Sequence, residues 1–152
     1  MLAGALAAAM LLMGCAAASS QPTASSSETE SVEDTAMKMK IEVNGSLFTA
    51  TLADNAAVDA LADWVEEGPV TLELSDYAGF EKVGPLGRSL PASDSQTTTH
   101  AGDIVLYQGD QIVLFYGSNS WSYTRLGHID DLTGWEDALG GGDVTVTLSL
   151  EG

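Results

Sequence analysis

The sequence predicts a mainly β, largely antiparallel domain with one or two short helices, and three observations lead there. An Asn44-Gly45 pair separates two alternating segments, 39–43 and 47–52. That arrangement is the strongest short-range signal for a hairpin. Residues 103–107 and 111–116, divided by a turn at Gly109-Asp110, are apolar on both faces, as in strands packed on each side. Near the C-terminus, Val144, Val146, Leu148 and Leu150 alternate with polar residues.

The remaining elements fall between these. Asp54 or Asn55 can cap a helix in which Val58, Leu61, Ala62 and Val65 recur at helical spacing and which stops at Gly68-Pro69. A strand is expected over 70–74. Residues 76–99 then read as a long connection, broken by Gly79, Gly84, Pro85, Gly87 and Pro91 and without sustained periodicity. Loops of such length in compact domains tend to be functional. A strand with polar interruptions is expected over 121–126 and a short helix over 133–139, closed by three glycines. No internal repeat is present.

At 152 residues the chain has room for one ordinary domain plus an address label. Twenty-two acids against five bases leave a net charge of −17, which repels phosphate backbones and excludes nucleic acid as a partner. Residues 1–13 carry no charged side chain but are too few to span a bilayer, which takes about 20 residues. With Gly14 they read as an export signal over 1–14. Leu12-Met13-Gly14-Cys15 resembles the lipobox of bacterial lipoproteins, which implies diacylglycerol on Cys15 and a membrane as the first partner. A lone cysteine in an exported chain has no internal disulfide partner, and lipidation accounts for it. From Cys15 to residue 37 the chain is rich in Ser, Thr, Ala and Glu and has no aromatic residue, as expected of a flexible linker. The folded domain is assigned to 38–152. The expected location is outside the cytoplasm, tethered to the cell membrane.

Alternation places Trp121, Tyr123 and Arg125 on one side of their strand. Two rings and a guanidinium together suit recognition of an apolar or proline-like group and a carbonyl or carboxylate. Phe115 and Tyr116, at the end of the preceding strand, complete the candidate ligand-binding set. The competing reading is that the rings are packing residues and that Arg125 pairs with an acid such as Asp103 or Asp130. His100 and His128 lie near acids, but so acidic a chain produces such proximity by chance, and no metal or cofactor is expected. No Gly-x-Ser-x-Gly elbow or phosphate-binding glycine loop is present.

Three further stretches carry a family resemblance: Ala101-Gly102-Asp103-Ile104-Val105-Leu106-Tyr107, the run from Ile112 through Ser118-Asn119-Ser120-Trp121 to Gly127, and Ile129-Asp130 with Ala138-Leu139-Gly140. Together with the opening hairpin, Glu81-Lys82 and Ser89-Leu90-Pro91, they closely resemble the bacterial cyclophilin-like family over residues 38–150. The resemblance implies a closed, cyclophilin-like, largely antiparallel β-barrel with a helix or two over its openings. Members of this family are mostly of unknown function, and fold does not dictate chemistry. Some relatives are joined to flavodoxin-like domains, which points to an exported redox protein as a partner. Prolyl isomerisation would need a donor to the imide nitrogen in an apolar cleft, and only Arg125 and Arg88 carry a guanidinium. The Phe-His-Arg and Gln-Gly-Gly-Asp contexts of true prolyl isomerases are absent. The leading expectation is therefore a peptide- or small-ligand-binding accessory module, with a divergent isomerase as the alternative.

Overall fold

A computed structural model describes residues 36–151 of the chain. The export signal, Cys15 and nearly all of the linker expected from the sequence lie outside the described residues.

Among the described residues, nine strands and two helices follow one another as β1 (Lys38–Val43), β2 (Ser46–Leu52), α1 (Ala56–Glu66), β3 (Val70–Tyr77), β4 (Glu81–Pro85), β5 (Ser95–Thr98), β6 (Asp103–Tyr107), β7 (Gln111–Phe115), β8 (Ser120–Ile129), α2 (Trp135–Leu139) and β9 (Val144–Leu150). The sheet runs β2-β1-β9-β3-β4-β7-β6-β8, every pairing antiparallel. It closes where Ala50, Thr51 and Leu52 of β2 face Ile129, His128 and Gly127 of β8. The fold is thus a closed eight-stranded antiparallel barrel with two helices. β5 stands outside the ring, paired to the first half of β8 through Thr97 and Trp121.

Three tight turns are built from left-handed backbone. Asn44 and Gly45 have φ of 48° and 91°, the pair of positive values that a two-residue turn matching strand twist requires. Gln108 and Gly109 do the same between β6 and β7, so that turn begins one residue before the Gly109-Asp110 pair expected from the sequence. The third, Ala78-Gly79, joins β3 to β4.

That third turn corrects the expectation of one long connection over 76–99. The segment contains the end of β3, all of β4 and all of β5. Two physical reasons hid them. Alanine adopts a left-handed backbone only at a steric cost, so Ala78-Gly79 does not read as a turn. β4 in turn buries the charged pair Glu81 and Lys82, where an alternation search expects apolar residues.

The barrel interior is filled by alternate residues such as Ile41, Ala50, Leu74, Ile104, Leu114, Leu126 and Val146. β2 ends at one rim and, through the β1 register, β9 begins at the other, so the two helices cover opposite openings. Asn55 caps α1 by accepting from the Val58 N–H at 2.9 Å, and Val58, Leu61 and Val65 turn inward. Burial of each such side chain contributes roughly 1.5–3 kcal/mol. α2 inserts Trp135, whose ring meets Phe48 edge-on at 4.9 Å and whose indole N–H donates to the Phe115 carbonyl at 2.8 Å. Lys82, wholly buried near that rim, donates to Asp76 Oδ1 at 3.0 Å and to the Gly142 carbonyl at 2.6 Å. Its charge is therefore compensated within the fold.

Gly127 sits on the closing seam, where an added Cβ would lie 2.6 Å from the Thr51 carbonyl oxygen. Gly127→Ala should accordingly lower stability by about 1–3 kcal/mol in urea unfolding. An unchanged midpoint would mean that the seam is looser than described.

Candidate functional site

Closing the barrel divides each strand into residues that fill it and residues that face away. On β4, β7, β6 and β8 the outward set is also largely apolar. Val105, Val113, Phe115 and Tyr123 form a second buried cluster, separate from the barrel interior, with Phe80, Val83 and Tyr107 packed against it. Phe80 and Phe115 stack with nearly parallel rings 6.5 Å apart, and Tyr123 meets Phe115 edge-on at 5.7 Å.

This outer cluster is incompletely covered and leaves a cavity of about 530 Å³. The space falls within the usual range for small-molecule sites. Tyr77, Ala78, Phe80, Glu81 and Val83 line it from the β3–β4 hairpin, Tyr107 and Gln111 from β6 and β7, and Asn119, Trp121 and Tyr123 from β8 and the loop before it. Phe80 is held from behind, because its carbonyl accepts from the N–H groups of Tyr116 at 3.0 Å and Gly117 at 2.9 Å. Asn119 is fixed likewise: its N–H donates to Thr99 Oγ1 at 3.1 Å and its side-chain amide donates to the Tyr123 hydroxyl at 2.9 Å. The walls are therefore set by the framework, while Trp121 and Tyr77 remain 57% exposed at the mouth.

Glu81 is the chemically distinctive member. Only 7% of the residue is exposed, and its Oε2 is buried without a hydrogen-bond partner. No Lys, Arg or His lines the cavity with it. Burial disfavours the charged form and pushes the carboxyl up to about 7. Burial also raises the Tyr123 phenol, against the effect of the Asn119 hydrogen bond.

The residues singled out from the sequence are distributed as follows. Trp121 and Tyr123 line the cavity, and Phe115 lies fully buried beneath it. Arg125 is elsewhere on β8, its guanidinium 3.4 Å from Asp103 Oδ2. Asp103 is the centre of a small network, accepting the His100 N–H at 2.8 Å and lying 2.7 Å from His128 Nδ1. Burial alone would raise the Asp103 carboxyl, but His128, the His100 N–H and Arg125 together hold it below its usual range. Tyr116 donates its hydroxyl to Asp76, and that bond raises the phenol to about 12. Arg88 lies over the Trp64 ring of α1, 4.1 Å from its centroid. Neither guanidinium lines the cavity. Among the described residues no group of three or more His, Cys, Asp or Glu side chains could hold a metal.

Tyr77, Phe80, Glu81, Tyr107, Gln111 and Asn119 escaped the sequence reading. The available signal was the aromatic pair flanking Ala78-Gly79, which marks a hairpin once that turn is recognised.

The sequence profile of the cyclophilin-like family matches residues 41–149, and the chain belongs to that family. Its structure is similar to the solution structure of a hypothetical protein from Archaeoglobus fulgidus, with a TM-score of 0.53 and 15% identity. The match covers 76% of this chain and 95% of that one, and at this identity it speaks for the fold alone. Among curated proteins, none matches the chain.

The Glu81 carboxyl has a testable effect on stability. A carboxyl raised from 4.5 to about 7 stabilises the fold below its unfolded value, and that contribution is lost as pH rises through about 7. Glu81→Gln should match the wild type at pH 4.5 and exceed it by about 2–3 kcal/mol at pH 8. Urea unfolding across that window checks the sign. A gap that does not change with pH would show that Glu81 titrates normally.

Proposed function

We propose that this chain is an exported, lipid-anchored binding module of the cyclophilin-like family, whose outer-wall cavity receives a small ligand or one group of a peptide. The observation that carries the binding reading is the aromatic-walled cavity itself, because a barrel already full inside has no packing need for a second, half-open apolar cluster. Exposed apolar surface of this kind, bordered by a few fixed polar groups, commonly marks a site of interaction. Cavity residues come both from the 76–99 stretch and from the Trp121 strand. Binding is favoured over isomerisation because the cavity lining contains no guanidinium to aim at an imide nitrogen.

The anchor reading rests on Leu12-Met13-Gly14-Cys15 at the end of an uncharged apolar run and on the polar linker that follows. Two or more acyl chains, at about 0.8 kcal/mol per buried methylene, would hold the domain stably at a membrane.

Both halves of the proposal have direct tests. In bacteria expressing the full chain, a fatty-acid label should enter the wild type and not Cys15→Ser. Label retained by the variant, or none in the wild type, overturns the anchor. In an NMR screen against aromatic amines, amides and short peptides, shift changes should gather on Phe80, Tyr107 and Trp121, and Trp121→Ala should weaken binding about tenfold. Perturbations that map elsewhere overturn the cavity as the binding site.

A further inference from the structure

Resting on that binding reading, we propose that the cavity takes an organic ammonium group, with Glu81 as its counter-ion and the rings of Tyr77, Phe80, Tyr107, Trp121 and Tyr123 as its walls. The first argument is the unmet charge requirement of Glu81. A glutamate only 7% exposed, with one carboxyl oxygen buried and lacking any partner, is retained at a cost in stability. The adjacent Lys82 does not offset it, because that ammonium points to the other face of β4 and is already held by Asp76 and the Gly142 carbonyl. A ligand cation supplies the charge that the fold withholds.

The walls support the same occupant. Aromatic faces carry negative electrostatic potential and attract an ammonium placed against them, most strongly when water is excluded. The rings are set at large mutual angles, 86° between Tyr77 and Phe80 and 64° between Tyr107 and Tyr123, so that faces and edges surround the space from several directions. A neutral apolar ligand would also suit the rings, but it would leave the Glu81 carboxyl without a counter-charge. Long-range attraction acts in the same sense: four of the 22 acids lie in the linker, so residues 38–152 carry eighteen acids against five bases.

The titratable groups sharing the cavity with Glu81 are Tyr77 from β3, Tyr107 from β6 and Tyr123 from β8; β7 contributes Gln111 to the lining and Phe115 beneath it. Among the described residues Glu81 is the only carboxyl in the lining, and no histidine shares it. A pH dependence of binding between 5 and 8 therefore reports on Glu81.

The test uses choline and its uncharged isostere 3,3-dimethylbutan-1-ol, neither of which titrates in this window, with binding followed by NMR shifts of Phe80 and Trp121. Choline should bind at least tenfold more tightly than the alcohol at pH 8. Its affinity should rise about tenfold per pH unit from 5 towards 7 and then level off, since the cation binds the ionised carboxyl. Glu81→Gln should lose that preference and the pH slope while remaining folded. N-acetyl-lysine methylamide serves as a second ammonium source: tighter binding than choline assigns the site to a peptide side chain, and weaker binding assigns it to a small molecule. Equal affinity for choline and the alcohol, or an unchanged affinity in Glu81→Gln, overturns the ammonium assignment. In that case cavity shifts with the alcohol would leave the binding reading standing, whereas no cavity shifts with any probe would remove both.

Discussion

Closure of the sheet is the constraint on which the rest of this structure depends. The pairing of β2 with β8 is only three residue pairs long, yet it turns an open sheet into a ring without barrel edges. It is possible because Gly127 brings no Cβ to a place where the Thr51 carbonyl already stands. Once the ring is closed, its interior is a fixed volume, filled by the inward residues and covered at the rims by Val58, Leu61 and Val65 of α1 and Trp135 of α2. Apolar residues facing away from that volume need other cover. Phe115, Val113 and Val105 find it partly in Phe80 and Tyr123, and the part left uncovered is the cavity.

β4 shows how two neighbouring charges come to different ends within one strand. Successive side chains point to opposite faces, so Lys82 enters the rim near α2 while Glu81 enters the outer cavity. Lys82 meets a carboxylate and a carbonyl, and the ring of Tyr116 lies 5.4 Å from its ammonium. Glu81 meets aromatic rings and leaves an oxygen unpaired. A compensated buried ion and an uncompensated one differ in what they imply. The first belongs to the architecture, and the second is the kind of local conflict that proteins retain at working sites.

The Asp103 network has an equally definite local role. Asp103 opens β6 and accepts the His100 N–H, which fixes the turn into the strand, while Arg125 and His128 reach it from β8. The β6–β8 register shifts between Ile104 and Val105, and this network lies against that irregularity. Trp121, Tyr123 and Arg125 all precede that shift and share one face of β8; the two rings line the cavity, and Arg125, farther along the strand, meets Asp103.

The sequence by itself determined the elements whose chemistry is local. Asn44-Gly45 forces a tight hairpin, Asn55 caps the first helix, the runs at 103–107 and 111–115 are strands because nothing but burial suits them, and 144–150 is one because its apolar residues alternate with polar ones. The wording of the second half also identified the family, and with it the closed barrel. Only the tertiary structure decided which residues meet. β4 was illegible because its buried positions hold Glu81 and Lys82, and the partners that permit a buried lysine are Asp76 across the hairpin and the Gly142 carbonyl 60 residues away. Whether Arg125 faced the aromatic rings or an acid could not be read from alternation, which gives a side but not a neighbour. Strand order and register, long-range by nature, supplied the neighbours: Asp103 for Arg125, and Tyr107, Trp121 and Tyr123 for Glu81.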